Sequence, residues 1–156
     1  MDESVREAKL KAMRLLTARD YTEKGLFDKL VRSGFSEEEA HAALEYVKSF
    51  GYLDDLRYAM NYARCSVGVR SKKETERKLL EKGISSELID RAISEEYSDD
   101  DAEDDLIRHL LHKKCRDLSS LDYAGHQKLL AYMFNKGFKM DRVKRILDEE
   151  SLDITS

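Results

Sequence analysis

Proline is absent from this chain of 156 residues, although average usage would supply about eight. Because proline removes a backbone donor and clashes with the preceding turn, its absence leaves helix interiors unobstructed. Leu, Ala, Lys, Arg and Glu dominate instead, and these residues favour helices. The alternation of β-branched residues that is typical of strands is hard to find. The sequence therefore predicts an all-α protein.

Cysteine is scarce, and long apolar runs are missing. The two cysteines, Cys65 and Cys115, are too few for a disulfide scaffold, so we expect both thiols to be reduced. The first residues are charged and amphipathic, without the apolar segment of a signal peptide. No run of about 18 apolar residues would span a membrane. These features predict a cytoplasmic protein that does not contact membranes.

Positive charge is not in excess overall, because the formal net charge is -4. This value argues against a protein that coats nucleic acid indiscriminately. The charge is nevertheless uneven along the chain. Residues 57–82 contain eight basic and three acidic residues, a local charge of +5, whereas residues 85–105 carry a local charge of -9. The basic segment is the candidate contact surface.

An internal repeat organises the chain. The segments KLVRSGF, KLLEKGI and YMFNKGF each contain a glycine, Gly34, Gly83 and Gly137, and these glycines are 49 and 54 residues apart. Apolar residues follow each glycine at one, six and ten positions. A glycine at a helix end readily adopts the left-handed conformation of a C-terminal cap. We therefore expect a helix to end at each glycine and another to begin soon after.

The starts of these following helices have recognisable caps. In the first copy Ser36 precedes Glu39 by three residues, the spacing of a capping box. In the second copy Ser85 or Ser86 can cap the helix, and in the third copy Asp141 is the predicted cap.

A further amphipathic helix precedes each pair, so each repeat has three helices. These first helices are predicted over residues 3–18, 55–66 and 103–115. A unit of about 50 residues has a small core and gains stability by stacking on its neighbours. We predict three tandem three-helix repeats forming an elongated, curved arm. Their predicted limits are residues 1–53, 54–98 and 99–156.

The two joints between repeats differ in the sequence. In KSFGYLDDLRYA, Gly51 ends a helix, Leu53 is placed to pack on the next helix, and Asp54 or Asp55 is placed to cap it. This short joint predicts a limited angle between the repeats. The second joint contains the acidic segment 98–105, for which we predict a solvated linker with more freedom, whose last members cap a helix. The alternative is that this segment mimics the charge of a nucleic acid.

With these features in place, the chain resembles the RecX family of bacterial recombination regulators. The resemblance covers roughly residues 8–150 and rests on ARDYTEKGLFDKL, GFSEEEAHAALEYVKSFGYLDDLRYA and RKLLEKGISSELIDRAI. It implies tandem three-helix repeats that lie in the deep groove of the RecA filament and inhibit RecA ATPase, strand exchange and coprotease activity. Family members often carry an R..GYG run. Here RCSVGVRSKK keeps Arg64, Gly68 and Arg70 but lacks the aromatic residue and the second glycine.

Taken with the resemblance, the basic segment predicts a surface that binds an acidic or phosphate-bearing partner. Arginine can pair with two oxygens at once, and a tyrosine can serve as an apolar anchor. The alternative is a solvated helix face whose Arg–Glu pairs are each worth about 0.2–0.5 kcal/mol. The predicted partner-binding residues are Arg57, Tyr58, Arg64, Arg70, Lys72, Lys73, Arg77 and Lys78.

The predicted partner is the RecA filament, bound by a monomer, with only weak or indirect contact to DNA. A second hypothesis is a nucleic-acid-binding module that acts through residues 57–82 and shows steep salt dependence. A third is a helical adaptor for another protein.

Other chemistry finds little support in the sequence. His109, His112 and Cys115 have helical spacing, but a metal site needs further ligands, so two partly exposed histidines and a core thiol are expected. The aromatic residues Tyr46, Phe50 and Tyr52 are expected to pack at the first joint rather than to stack on bases. No phosphate-binding loop or nucleophile motif is found. We predict a protein that is not an enzyme and binds no cofactor.

Overall fold

The computed structural model describes residues 2–155, and the side chains of residues 3–151. This part of the chain folds into nine α-helices and one 3-10 helix, without strands, which confirms the all-α prediction. None of these helices has both the length and the apolar character needed to cross a membrane. The α-helices are α1 Asp2–Ala18, α2 Glu23–Arg32, α3 Glu37–Ser49, α4 Asp55–Ser66, α5 Lys72–Glu81, α6 Ser86–Glu96, α7 Asp100–Lys114, α8 Tyr123–Asn135 and α9 Met140–Thr155, and the 3-10 helix is Leu118–Ser120.

Three α-helices lie within each predicted repeat, although the limits of the repeats stay a prediction. The packing divides the chain into two compact units that do not follow those limits. The division passes through α4, α5 and α6. The first unit consists of Met1–Tyr62 and Lys78–Ala92, and the second of Ala63–Arg77 and Ile93–Ser156.

The core of the first unit contains small residues where α1 and α3 meet. Ala8 and Ala12 of α1, and Ala40 and Ala43 of α3, are completely buried. Because alanine is short, the two helices can approach closely. Larger side chains from α2, α3 and the first joint complete this core, and they are Leu26, Leu30, Leu44, Val47 and Leu53.

The second unit has a core of larger aliphatic side chains from α7, α8, α9 and the 3-10 helix. Its completely buried members are Ile107, Leu111, Met133, Val143, Ile146 and Leu147. Phe138, which follows the third repeat glycine, is buried in the same core. Val143 and Leu147 occupy the repeat positions six and ten residues after Gly137, as the repeat predicts.

The three repeat glycines end helices in the predicted left-handed conformation. Their φ angles are 105° at Gly34, 87° at Gly83 and 94° at Gly137. In each copy the amide of the following apolar residue donates to a carbonyl five residues earlier, as in Phe35 N to Leu30 O at 3.2 Å. This bond is part of the Schellman motif. The predicted caps are confirmed.

The helix starts agree with two of the three predicted caps. Ser36 and Glu39 form the capping box, with both reciprocal hydrogen bonds present. Ser85 caps α6, because its carbonyl accepts from Ile89 N at 3.0 Å. Asp141 is not the cap of α9. That helix begins at Met140, and Asp141 lies in its first turn, where a negative charge favours the helix dipole.

At the first joint the two neighbouring aspartates have different roles. Asp54 caps its own helix, since its Oδ1 accepts from Arg57 N at 3.1 Å. The Oδ1 of Asp55 instead accepts from the Glu23 amide at the start of α2, at 2.8 Å. Leu53 is buried in the first core. Gly51 ends α3 with a φ of 75°. The joint therefore fastens α4 to two earlier helices.

The acidic segment is mostly helix, so the prediction of a linker is wrong for residues 100–102, while the helix predicted from residue 103 is present and begins earlier, at Asp100. Helix α7 begins at Asp100, with Asp99 as its cap. Asp104 pairs with two arginines of α9, Arg142 at 3.2 Å and Arg145 at 3.1 Å. These ion pairs and the helix dipole offset the mutual repulsion of the carboxylates.

Candidate partner-binding surface

The eight predicted contact residues lie on α4, on α5 and on the loop between them, and they belong to both compact units. Arg57, Tyr58 and Lys78 are in the first unit. The second unit contains Arg64, Arg70, Lys72, Lys73 and Arg77.

In the first unit the predicted residues have clear local contacts. The Arg57 guanidinium donates from Nη1 to the Gly51 carbonyl at 3.0 Å, so this exposed side chain is held against the first joint. The rings of Tyr58 and Tyr62 stack, with centroids 6.5 Å apart and planes 8° apart. The Lys82 ammonium lies 5.6 Å from the Tyr62 centroid. Tyr58 is half-buried, so part of its ring packs within the unit.

Arg64 forms a bidentate contact with Glu96 in the second unit. Its Nη2 lies 2.9 Å from Oε1 and its Nε lies 3.4 Å from Oε2. The hydrogen bonds that Arg64 donates to Glu96 raise the pKa of its guanidinium above the ordinary value. The side chain is exposed, but a carboxylate already satisfies much of its positive charge.

A buried polar cluster holds the loop between α4 and α5. The Tyr97 hydroxyl lies 2.7 Å from Thr75 Oγ1 and donates to the Arg70 carbonyl at 3.0 Å. Burial raises the pKa of Tyr97 to about 12, so the hydroxyl stays protonated at neutral pH. The Arg70 Nη1 donates to Ser66 Oγ at 3.2 Å. These bonds fix the backbone that carries Arg70, while Val69 is 62% exposed at the loop tip.

The start of α5 is fastened to the turn between α8 and α9. Ser71, the residue before α5, is completely buried, and its Oγ accepts from Glu74 N at 3.1 Å as a helix cap. The same hydroxyl donates to the Lys136 carbonyl at 2.6 Å. A Cβ added at Gly137 would lie 2.7 Å from Ser71 Oγ. The turn can approach this closely only because residue 137 is glycine.

An equivalent contact is found in the first unit, between the start of α2 and the turn between α5 and α6. Both contacts are helix-start joints, which differ from the linkers between repeats. Thr22 caps α2 by accepting from Gly25 N at 3.0 Å, and its hydroxyl donates to the Lys82 carbonyl at 2.8 Å. A Cβ at Gly83 would collide with the side chain of Lys24. In both joints a hydroxyl cap contacts the carbonyl that precedes a repeat glycine.

Each joint also includes a carboxylate from the first helix of the following repeat. Asp55 accepts from the Glu23 amide at 2.8 Å, and Glu103 accepts from the Lys72 amide at 3.4 Å. Burial raises the pKa of Asp55 and of Glu103 above their ordinary values, although the backbone hydrogen bonds partly oppose this shift. Both carboxylates therefore meet a helix start in a partly desolvated site.

The contact between the start of α5 and the turn between α8 and α9 forms one wall of a groove of about 930 Å³ in the second unit. The structure brings three predicted residues, Lys72, Lys73 and Arg77, to this groove. It also brings three basic residues that sequence reasoning missed, and these are Lys136, Lys139 and Arg142. Phe134 lines the same groove and is 63% exposed. The groove combines positive charge with an exposed aromatic ring.

A repeated signal in the sequence marks Phe134. Three residues before each repeat glycine stands an apolar side chain that the helix leaves exposed. These residues are Val31, Leu80 and Phe134, which are 37%, 61% and 63% exposed. The residues just before them, Leu30, Leu79 and Met133, are completely buried, so the repeat places one further apolar side chain beside the core instead of in it.

The remaining candidates form ordinary contacts. His112 Nε2 lies 2.8 Å from Glu150 Oε2, and Cys115 Sγ lies 3.2 Å from the Asp117 carbonyl oxygen. Among the described residues no group of three or more His, Cys, Asp or Glu side chains could hold a metal ion. Tyr46 and Phe50 meet edge to face with centroids 5.1 Å apart. Their rings remain 38% and 56% exposed, so they are less covered than the sequence predicts.

Comparison with protein families agrees with the repeat structure. Residues 8–46 match the family model described as RecX, first three-helix domain. Residues 101–147 match the model described as RecX, third three-helix domain.

Known proteins give the same result over most of the chain. The chain is 31% identical to regulatory protein RecX of Caldanaerobacter subterraneus subsp. tengcongensis, over 92% of this chain and 70% of that protein. It is also 31% identical to regulatory protein RecX of Trichlorobacter lovleyi, over 90% of this chain and 93% of that protein. A crystal structure of RecX from Lactobacillus salivarius has the same fold, with a TM-score of 0.83 and 21% identity over 97% of this chain and 99% of that one. The chain belongs to the RecX family of regulatory proteins.

Proposed function

We propose that this protein binds the RecA–DNA filament in its groove and inhibits RecA ATPase, strand exchange and coprotease activity. The observation that carries the proposal is family membership over about nine tenths of the chain. The relatives are named regulatory proteins, and we infer that this chain also acts by binding, without catalysis or a cofactor, as a monomer in the cytoplasm.

The geometry suits binding to a large assembly. Lys72 and Lys73 are exposed at the start of α5, where the partly buried hydrogen bonds of Ser71 and Tyr97 fix the backbone. A surface held in place before binding loses less conformational entropy when a partner arrives. Contacts from several repeats to neighbouring protomers would also act together, because linked contacts raise the effective concentration of one another. Bridged protomers would resist the motions that accompany ATP turnover.

The direct test follows ATP hydrolysis by RecA on single-stranded DNA while the purified chain is added. We expect hydrolysis to fall at chain-to-RecA ratios well below one, and we expect much weaker binding to the same DNA without RecA. Tight, steeply salt-dependent binding to bare DNA would favour the nucleic-acid-binding module instead. Unchanged hydrolysis together with no DNA binding would leave the adaptor hypothesis.

A charge reversal tests the assigned surface. The variant Arg70→Glu, Lys72→Glu, Lys73→Glu should lose most of its inhibition. The matched control Lys113→Glu, Arg116→Glu, Lys128→Glu changes three exposed residues and alters the net charge equally. If both variants fold and inhibit equally well, the contact surface does not include the start of α5.

A further inference from the structure

The groove beside the start of α5 has an exposed aromatic ring as its main apolar feature. Phe134 lies at the C-terminal end of α8 and is 63% exposed, although it could be buried by any partner that enters the groove. Exposed aromatic side chains that line a groove are typical of protein interfaces, where they become the central contacts. The volume, about 930 Å³, is large enough for several residues of a partner.

The charges around this ring have mixed sign. The groove is lined by four acidic residues as well as by six basic ones. Three of these charges already have partners. Arg142 pairs with Asp104 at 3.2 Å and with the lining residue Asp100 at 3.7 Å, and Glu103 accepts from the Lys72 amide at 3.4 Å. The acidic residues are Glu74, Glu76, Asp100 and Glu103.

This pattern favours a protein segment over a nucleic-acid backbone. A phosphodiester chain carries a negative charge at every nucleotide, so several phosphates would face the carboxylates of the groove. A peptide can place its few carboxylates beside the lysines and its apolar side chains on the ring. Lysines 72, 73, 136 and 139 supply positive charge near Phe134.

We propose that this groove binds an acidic segment of a protein partner, with an apolar side chain packed on Phe134 and carboxylates paired with the surrounding lysines. The inference rests on the proposed function, because the segment would belong to the recombinase in the filament.

The walls of the groove are held together before any partner binds. The Ser71 hydroxyl donates to the Lys136 carbonyl at 2.6 Å, and a Cβ at Gly137 would lie 3.1 Å from Lys73 Cβ. These contacts join the start of α5 to the turn that follows Phe134. The groove is therefore preformed, and binding need not order its backbone.

A pair of alanine variants tests the ring. Phe134→Ala should weaken binding of the full chain to RecA filaments on single-stranded DNA at least tenfold, the loss expected of a central interface residue. Tyr123→Ala is the matched control, because Tyr123 is an aromatic residue of the same helix, is 81% exposed and does not line the groove. Its affinity should change less than twofold. Both variants should keep the wild-type melting temperature, since both side chains are exposed.

A photocrosslinking variant, Phe134→p-benzoylphenylalanine, identifies what enters the groove. Irradiation with the filament should link it to a RecA peptide that contains acidic and apolar residues. Linkage mainly to the oligonucleotide, or absence of any link while the variant remains bound, would overturn the proposal.

The outcomes separate the two proposals. If wild type and Tyr123→Ala inhibit RecA and Phe134→Ala binds the filament equally well, only the groove proposal is wrong. If the wild-type chain does not bind the filament, the proposed function is wrong and the groove proposal is overturned with it.

Discussion

The hydroxyl of Ser71 donates a hydrogen bond to the carbonyl oxygen of Lys136 at 2.6 Å, although 65 residues separate them in the chain. Thr22 forms the equivalent bond to Lys82 at 2.8 Å in the first unit. In each case one side chain both caps a helix and fastens it to the next repeat. Changes at these joints should therefore affect stability more than changes at ordinary caps.

Replacing Ser71 by alanine should lower the free energy of unfolding by about 2 kcal/mol, because a helix cap is lost and a partly buried hydrogen bond to the Lys136 carbonyl is removed. Ser85→Ala is the matched control. Ser85 is an exposed cap whose side-chain bond to Leu88 N is 3.4 Å long, so its loss should cost about 0.5–1 kcal/mol. Urea unfolding of both variants measures the difference, and equal costs would show that the bond to Lys136 adds nothing.

The repeat glycines offer a comparison of backbone strain with steric collision. Gly34→Ala should cost about 1–2 kcal/mol through its left-handed φ alone, because an added Cβ would meet nothing within 4 Å. Gly83→Ala should cost about 1–3 kcal/mol more, since its Cβ would collide with Lys24. Denaturant midpoints of the two variants test this order. Similar midpoints would mean that Lys24 moves aside without cost.

The carboxylates in the joints predict how stability depends on pH. Burial raises the folded-state pKa of Asp55 above its ordinary value of 3.8 and that of Glu103 above 4.5. Between the unfolded and folded values the folded protein binds more protons, so this contribution to stability decreases as the pH rises through that window. Above the folded-state pKa values, burial of the two ionised carboxylates lowers the free energy of unfolding by a constant amount.

Removing the charges of Asp55 and Glu103 should weaken the dependence of stability on pH. Asp55→Asn and Glu103→Gln keep an oxygen acceptor for the helix amide, so at pH 7 both variants should be at least as stable as wild type. Glu39→Gln is a control of opposite sign. A hydrogen bond from the Ser36 amide lowers the pKa of Glu39, so its contribution is present above 4.5 and is lost as the pH falls through the folded value. Thermal unfolding at pH 7 and at a pH below 3.8 compares all three, and destabilisation of the first two at pH 7 contradicts the prediction.

The Tyr97 hydroxyl should control the order of the loop that carries Arg70. Tyr97→Phe removes one buried and one partly buried hydrogen-bond contact and should lower the free energy of unfolding by about 1–2 kcal/mol. It should also speed trypsin cleavage after Arg70 in the folded protein, because the Arg70 carbonyl loses its donor. Tyr132→Phe, a change on half-buried Tyr132 of α8, should leave cleavage at that site unchanged. Equal cleavage rates in both variants would show that other contacts hold the loop.

The sequence predicted the helix ends well because each end depends on a few neighbouring residues. Gly34 with Phe35, and Ser36 with Glu39, form caps whose geometry is local. The start of α9 was missed because Asp141 is equally favourable within a first turn. The acidic linker was predicted from the charges of residues 98–105 alone. Arg142 and Arg145, about 40 residues later, stabilise those charges in a helix.

The residues of the candidate surface were only partly predictable. A local excess of basic residues indicated Lys72 and Lys73, but no pattern within residues 57–82 could indicate Lys136 or Phe134, which the fold brings to the same groove. One signal was available. Thr22 and Ser71 each stand twelve residues before the glycine of their repeat, Gly34 and Gly83. That shared position matches their shared role, since each hydroxyl caps a helix and also binds a carbonyl in a later turn.

The uncovered turn at Gly34 has a consequence for how such chains can lengthen. Gly83 and Gly137 each meet the helix start of the preceding block, whereas an added Cβ at Gly34 would find no neighbour within 4 Å. The turn at Gly34 thus has the same left-handed glycine as the other two, but no described helix start lies against it within 4 Å. A further three-helix block placed ahead of it would need a serine or threonine cap whose hydroxyl reaches the carbonyl before Gly34, as Thr22 and Ser71 reach the carbonyls before Gly83 and Gly137.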